Sequence, residues 1–164
     1  MTPRRKKHIQ RVSGVLFFLY LAVLIYFLFF ADEYGRTPSV EMRYNLVPFV
    51  EIRRFLVYRK ILGFRAVFLN VYGNIIGLLP FGFFLPSMHR YFRRVYRTVS
   101  VSFLFSCGVE LTQLVTRRGS CDVDDVILNT LGGLLGYLLF ALSRRLARRT
   151  APGQKDSGTP AEPG

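Results

Sequence analysis

No stretch of this 164-residue sequence is both polar enough and long enough to form a soluble core of its own. Outside four apolar runs, the chain falls into pieces of 11, 34, 9, 9 and 21 residues. Each is below the size at which a domain buries enough surface to fold alone. That excludes a Rossmann domain, a TIM barrel or any other sizeable catalytic domain outside a membrane. Acids are scarce, 10 against 23 Lys and Arg, which leaves a net charge of +13. In a soluble protein such an excess of cations points to nucleic acid. Here there is no zinc-finger spacing, helix-turn-helix pattern or P-loop, and the cations flank apolar segments, so the partner is membrane lipid and not nucleic acid. Cysteine is nearly absent, with only Cys107 and Cys121. On a continuous helix these lie about 20 Å apart, too far for a disulfide. Cys107 reads as a small packing residue, and Cys121 as a free thiol with no assigned chemistry. There is no Ser/His/Asp set, no His ligand pair and no Cys nucleophile pattern.

The apolar runs are Val12–Ala31, Ala66–Met88, Thr98–Thr116 and Val126–Ser143, of 20, 23, 19 and 18 residues. About 20 mostly apolar residues cross roughly 30 Å of hydrocarbon. The fold class is therefore an all-α membrane protein with four transmembrane helices, and a short amphipathic helix is expected in its first outer loop. Residues 1–11 form a basic N-terminus, 12–143 the membrane domain, and 144–164 a basic tail that is disordered by composition after Arg149. The first run is longer than a signal-peptide core and Phe29-Phe30-Ala31 is a poor cleavage site, so it is read as an anchor. The N-terminus, the His89–Arg97 loop and the tail together carry 14 Lys/Arg in 41 residues, whereas the Asp32–Arg65 and Arg117–Asp125 loops carry nine in 43. The positive-inside rule then gives a multi-pass protein of the bacterial cytoplasmic membrane with both termini cytoplasmic. In the long outer loop, Asn45 to Leu56 has amphipathic spacing. Pro48 suits a first helical position, Glu51 suits the positive dipole end, and Phe49, Ile52 and Leu56 share a face. Such a helix serves as an interfacial anchor or as a lid.

Polar residues inside spans are costly, at about 2.5–3.5 kcal/mol for a central charge, so each needs a reason. The third run holds Glu110 and Gln113 with Arg117 and Arg118 just beyond. The fourth opens with Asp122, Asp124 and Asp125, followed by Asn129 at i+4 from Asp125. Small residues Gly132, Gly133 and Gly136 then allow close helix approach. The second holds Asn70 and Asn74 at i and i+4, then Pro80, which is expected to kink the helix. Asn70, Asn74, Glu110, Gln113, Arg117, Arg118, Asp122, Asp125 and Asn129 all fall in the outer half of the bundle or at its rim. Two readings stand: hydrogen-bonded glue between helices, or a pocket open to the outer leaflet. In the pocket reading, Glu110 in apolar surroundings is a candidate acid or base, with Asp125 the second candidate catalytic group. Arg117 or Arg118 suits a phosphate or carboxylate. The three aspartates could hold a hard divalent cation, but three Asp at a helix start are common without one, so neither metal nor cofactor is assigned. Ser13, Ser100, Ser102 and Ser106 read as ordinary packing serines, and His89 as interfacial.

Several of these motifs recur in fixed order: Asn45-Leu-Val-Pro48-Phe49; Asn74-Ile-Ile-Gly-Leu-Leu-Pro80-Phe81-Gly82; Glu110-Leu-Thr-Gln113; and Arg118-x-x-x-Asp122-Val-Asp124-Asp125-Val-Ile-Leu-Asn129-Thr-Leu-Gly132-Gly133-x-x-Gly136. In this the chain resembles the VanZ-like family, from about Asn45 to Phe140 together with the preceding span. The resemblance implies a small bacterial integral membrane protein. The family's namesake is linked to resistance to teicoplanin-type glycopeptides, which act on cell-wall precursors at the outer membrane face, and the family has no settled reaction. Three functions remain open. The pocket binds an amphiphilic envelope molecule such as a lipid-linked wall precursor or lipopeptide; or its carboxylates act as an enzyme on a lipid-borne headgroup; or the polar set only fastens helices in a scaffold.

Overall fold

A computed structural model of the chain describes residues 3–30, 43–117 and 119–149. The tail beyond Arg149, most of the first loop and Arg118 lie outside the described residues. The structure is almost wholly helical, and four of its helical segments are long and apolar enough to span a bilayer. Helix α1 runs Pro3–Phe29. After it come strand β1 (Tyr44–Asn45), α2 (Val50–Val57) and α3 (Arg59–Val67). A π-helical turn, Phe68–Tyr72, leads into α4 (Gly73–Met88). A 3-10 turn at Arg90–Arg93 precedes α5 (Val95–Thr116), and strand β2 (Cys121–Asp122) precedes α6 (Val123–Arg149).

Three sequence expectations about boundaries are corrected. Helical structure of the second span starts ahead of Ala66: α3, the π turn and α4 together cover 30 residues from Arg59, with a break at Gly63. Its departures from α geometry lie at Gly63 (φ 82°) and in the π turn, while α4 continues through both Pro80 and Pro86. The amphipathic helix starts at Val50, so Pro48 is not its first residue; Phe49 precedes it with φ 66°. Its inward face is Ile52 and Phe55, which pack on Val67, Val71 and Leu128, and Phe49 and Leu56 are exposed. Residues 144–149, expected in the tail, continue α6.

The bundle is centred on α6. A Cβ added to Gly132 meets the Ile75 carbonyl oxygen at 2.2 Å, and one on Gly136 meets that of Leu79 at 2.0 Å. On Gly82 of α4 it meets the Gly133 carbonyl oxygen at 1.9 Å. The backbones of α4 and α6 are thus in contact, as small-residue stripes permit. Gly133 also admits Ser102 Oγ from α5, with 2.3 Å left for a Cβ. Thr98, Ser102 and Ser106 on that face of α5 are fully buried, which for the two serines is in keeping with their reading as packing residues. At the other side Phe17 of α1 joins Leu78, Phe81 and Leu85 of α4. Tyr20, Leu21 and Leu24 pack on the same cluster, and α1 is also tied by Gln10 Nε2 donating to Met88 O (2.9 Å), Tyr20 OH to Gly77 O (2.6 Å) and Gln113 Nε2 to Leu28 O (3.2 Å). Its remaining apolar side chains, such as Val15, Phe18 and Leu19, face outward, where lipid is the matching solvent.

Helix α5 stops where Arg117 turns left-handed (φ 55°) and Gly119 follows at φ 122°. The chain doubles back, and β2 pairs in parallel with β1, Tyr44 opposite Cys121 and Asn45 opposite Asp122. The helix does not continue between the two cysteines, so their separation does not follow from helical rise. Both are free thiols.

Candidate functional site

The acids of α5 and α6 form a chain of caps. Asp122 stands just ahead of α6, and its Oδ1 accepts the Asp124 N–H at 2.8 Å, the usual N-cap bond. The same oxygen accepts Asn45 Nδ2 at 3.3 Å, which ties the paired strands to the cap. The Asp122 N–H in turn donates to Glu110 Oε2 at 2.9 Å. Asp124 reaches across to α2. It is 1% exposed, and its carboxylate faces the start of α2. One oxygen accepts the Phe49 N–H; the other accepts those of Glu51 at 2.8 Å and Ile52 at 3.0 Å. These N–H groups lack intrahelical partners and mark the positive end of the dipole, so a buried anion there is doubly favoured. A left-handed non-glycine residue costs about 1–2 kcal/mol. At Phe49 that conformation turns its N–H onto the same carboxylate as the first turn of α2.

Burial raises the Asp122 carboxyl above its ordinary value; the charges of Asp124 and Glu51 add to this, while the Asp124 N–H and the Asn45 amide work against it. The Cys121 thiol is likewise pushed up, first by burial and then by the negative charge of Glu110 and Asp122. Such a thiol is a poor nucleophile.

A second polar set lies deeper. Asn74 Nδ2 donates to Asp125 Oδ1 and to Asn70 O (3.0 Å), and Asn70 Nδ2 donates to Ala66 O (2.8 Å). Asn129 Nδ2 donates to Ser106 Oγ at 2.9 Å. Gln113 is buried, with Nε2 donating to Leu28 O at 3.2 Å; among the described residues its Oε1 has no partner.

Beside this set a cavity of about 700 Å³ opens between α1, α3 with its π turn, α4, α5 and α6. That is within the usual range for a small-molecule site. Its walls are mainly apolar, including Leu24, Leu28, Leu69, Leu78, Phe105 and Val109. Its polar lining is Arg65, Asn70, Asn74, Ser106 and Asn129. Of the residues singled out in the sequence, then, Asn70, Asn74 and Asn129 come together on one cavity. Glu110, Gln113, Asp122 and Asp125 do not line it, although Asp125 touches it through Asn74. Arg117 ends α5, and Arg118 lies outside the described residues.

Sequence reasoning passed over Arg65, Asn45, the packing role of Asp124 and the polar role of Ser106. Arg65 had a signal. Positions 65, 66, 69, 70, 73, 74 and 77 recur at helical spacing and all line the cavity, which is visible once the helix is carried back past Ala66 to the break at Gly63.

The sequence profile of the VanZ/LLP1 family matches residues 17–144. Protein VanZ of Enterococcus faecium is 29% identical over 137 residues, covering 82% of this chain and 76% of the relative. No solved structure matches.

Proposed function

The chain belongs to the VanZ/LLP1 family, and from that premise we propose that this multi-pass membrane protein holds an amphiphilic envelope molecule in the cavity beside α1. The molecule is of the class of a lipid-linked wall precursor or a lipopeptide, and the membrane is the bacterial cytoplasmic membrane, with both termini inside. The observation that carries the reading is the makeup of the cavity: apolar walls deep in the bundle, three carboxamides and a hydroxyl, and one guanidinium at Arg65. Apolar walls suit an acyl or prenyl chain. Arg65 suits a phosphate or carboxylate headgroup, and Asn70 and Asn74 offer hydrogen bonds to its neutral part. Because the family's namesake is linked to teicoplanin-type resistance, a lipid-tailed glycopeptide is one member of this ligand class.

The acids take a different part in this proposal. Glu110 and Asp124 accept backbone N–H groups, which favours fastening over proton transfer. An enzyme acting on a lipid headgroup would require turnover that disappears in Glu110→Gln, and Glu110 does not line the cavity.

The test uses purified protein in nanodiscs and a fluorescent polyprenyl diphosphate. Gly77→Leu places bulk in the cavity, where a Cβ finds its nearest neighbour, Leu24 Cδ1, only at 3.8 Å. Arg65→Gln removes the cation. Each is expected to weaken binding by about tenfold or more, the scale of one charge-assisted contact. Unchanged binding in both variants, with normal yield, removes the proposal.

A further inference from the structure

At the end of the bundle away from the acid caps, the chain gathers cations without acids. The described acids, Glu51, Glu110, Asp122, Asp124 and Asp125, all belong to the other end, in α2, late α5 and early α6. Here the 3-10 turn Arg90–Arg93 meets the last turns of α6. Tyr137 OH joins them by donating to the Arg93 carbonyl oxygen at 2.7 Å. Arg93 Nε reaches back to Pro86 O at 3.4 Å, which turns its guanidinium along the helix ends.

Between the turn and α6 lies a second cavity, of about 350 Å³. Arg93, Arg144, Arg145, Arg148 and Arg149 line it, with Tyr137 at its wall. Arg144 is half-buried. A solvated basic face places its cations apart and outward. This one draws them from two separate segments onto one concavity. The neighbouring Arg97 is a contrast: its guanidinium stacks on the Tyr91 ring at 3.9 Å and donates to the Tyr91 carbonyl oxygen at 3.2 Å, so it is already engaged.

Arginines converging on a concave site at the mouth of a helix bundle match an anion with several oxygens. The level is also informative. The site sits at the ends of α4, α5 and α6, where lipid headgroups meet the protein, and Phe140 and Ala141 continue its wall toward the apolar part of α6. Basic pockets at helix ends are suited to anionic headgroups. We propose that this cavity binds the phosphate-ester headgroup of an anionic membrane lipid, through Arg93 and Arg144 with the exposed Arg145 and Arg148 around it. The site is separate from the cavity beside α1 and does not depend on that cavity's ligand.

The experiment is native mass spectrometry of the full chain in detergent, titrated with phosphatidylglycerol or phosphatidylcholine. Wild type retains phosphatidylglycerol well above phosphatidylcholine. Arg93→Gln combined with Arg144→Gln lowers phosphatidylglycerol affinity by roughly thirtyfold, from about 1 kcal/mol for each cation removed. Arg145→Gln combined with Arg148→Gln, at exposed positions that folding tolerates, lowers it in the same direction. Arg53→Gln, on α2 at the opposite end, leaves it unchanged. A competition arm adds inorganic phosphate. If phosphate fails to displace the lipid, the source of the oxyanion is the headgroup; if phosphate at millimolar concentration displaces it, the same site stands but serves a soluble phosphate. Equal retention of the two lipids, or unchanged affinity in both double variants, overturns the site.

Discussion

Replacing Asp124 by asparagine is the most informative single change in the acid network. The side chain keeps its shape and one oxygen, so the bond to the Phe49 N–H survives. The new amide nitrogen faces the Glu51 and Ile52 N–H groups, now held at 2.8 and 3.0 Å, and donor meets donor. A hydrogen bond to a charged group contributes about 1.5–3 kcal/mol, and the anion at the helix start adds about 0.3–1 kcal/mol. Helix α2 is half-exposed, so water reaches part of what is freed. The net loss is then about 2–4 kcal/mol, or roughly thirty- to a thousandfold in the local opening equilibrium. It falls on α2 alone, because α4 and α6 are joined by backbone contact that Asp124 does not touch. Hydrogen–deuterium exchange by mass spectrometry reads this directly. Peptides covering residues 44–58 lose protection by that factor, and those covering 126–140 do not. A folded Asp124→Asn protein with undiminished protection in α2 would falsify the assignment, and so would an even loss across all helices.

The glycine contacts predict a sharp contrast. Gly136→Ala and Gly82→Ala force α4 and α6 apart, since the new Cβ meets a backbone oxygen at 2.0 or 1.9 Å, and each lowers the melting temperature in detergent by several degrees or abolishes folded yield. Gly108→Ala meets nothing within 4 Å and holds or raises the melting temperature, since alanine favours the helix by up to about 1 kcal/mol over glycine. The raised Asp122 carboxyl predicts a pH effect of defined sign. A folded-state value above the ordinary 3.8 means that stability present below that value is lost as pH rises through the folded one. Asp122→Asn keeps the oxygen that caps α6 and flattens this decline; a melting-temperature profile equally steep in wild type and variant contradicts it.

Much of the architecture was legible because the bilayer makes strict demands. Four apolar runs, of which only the third holds a charged residue (Glu110), mark four spans, and Gly132, Gly133 and Gly136 announced the close approach that their contacts display. The start of the second span was hidden because Arg59, Lys60 and Arg65 resemble loop residues, and no local pattern marks a π turn. The clustering of Glu110 with Asp122 was also readable from their common level in the bundle. What they bind was not. Glu110 accepts the main-chain N–H of Asp122, and Asp124 those of Phe49, Glu51 and Ile52, groups that every residue but proline carries, so side-chain identity gives no clue. Asp124 and Glu110 thus tie the start of α2 and strand β2 to the bundle through contacts that no side-chain pattern announces. Asn70, Asn74 and Asn129 line one cavity together with Arg65, whose charge near Arg59 and Lys60 gives that stretch the look of a loop.

The link between Asp124 and α2 also orders events in time. The carboxylate and the N–H groups it holds are separated by 72 to 75 residues, so the short helix emerges during synthesis long before its anchor exists. Until the last span has threaded into the bilayer, that helix has open donors and no seat. Its docking on Asp124 therefore waits for α6, and a chain that stops short of α6 lacks the carboxylate that seats this helix.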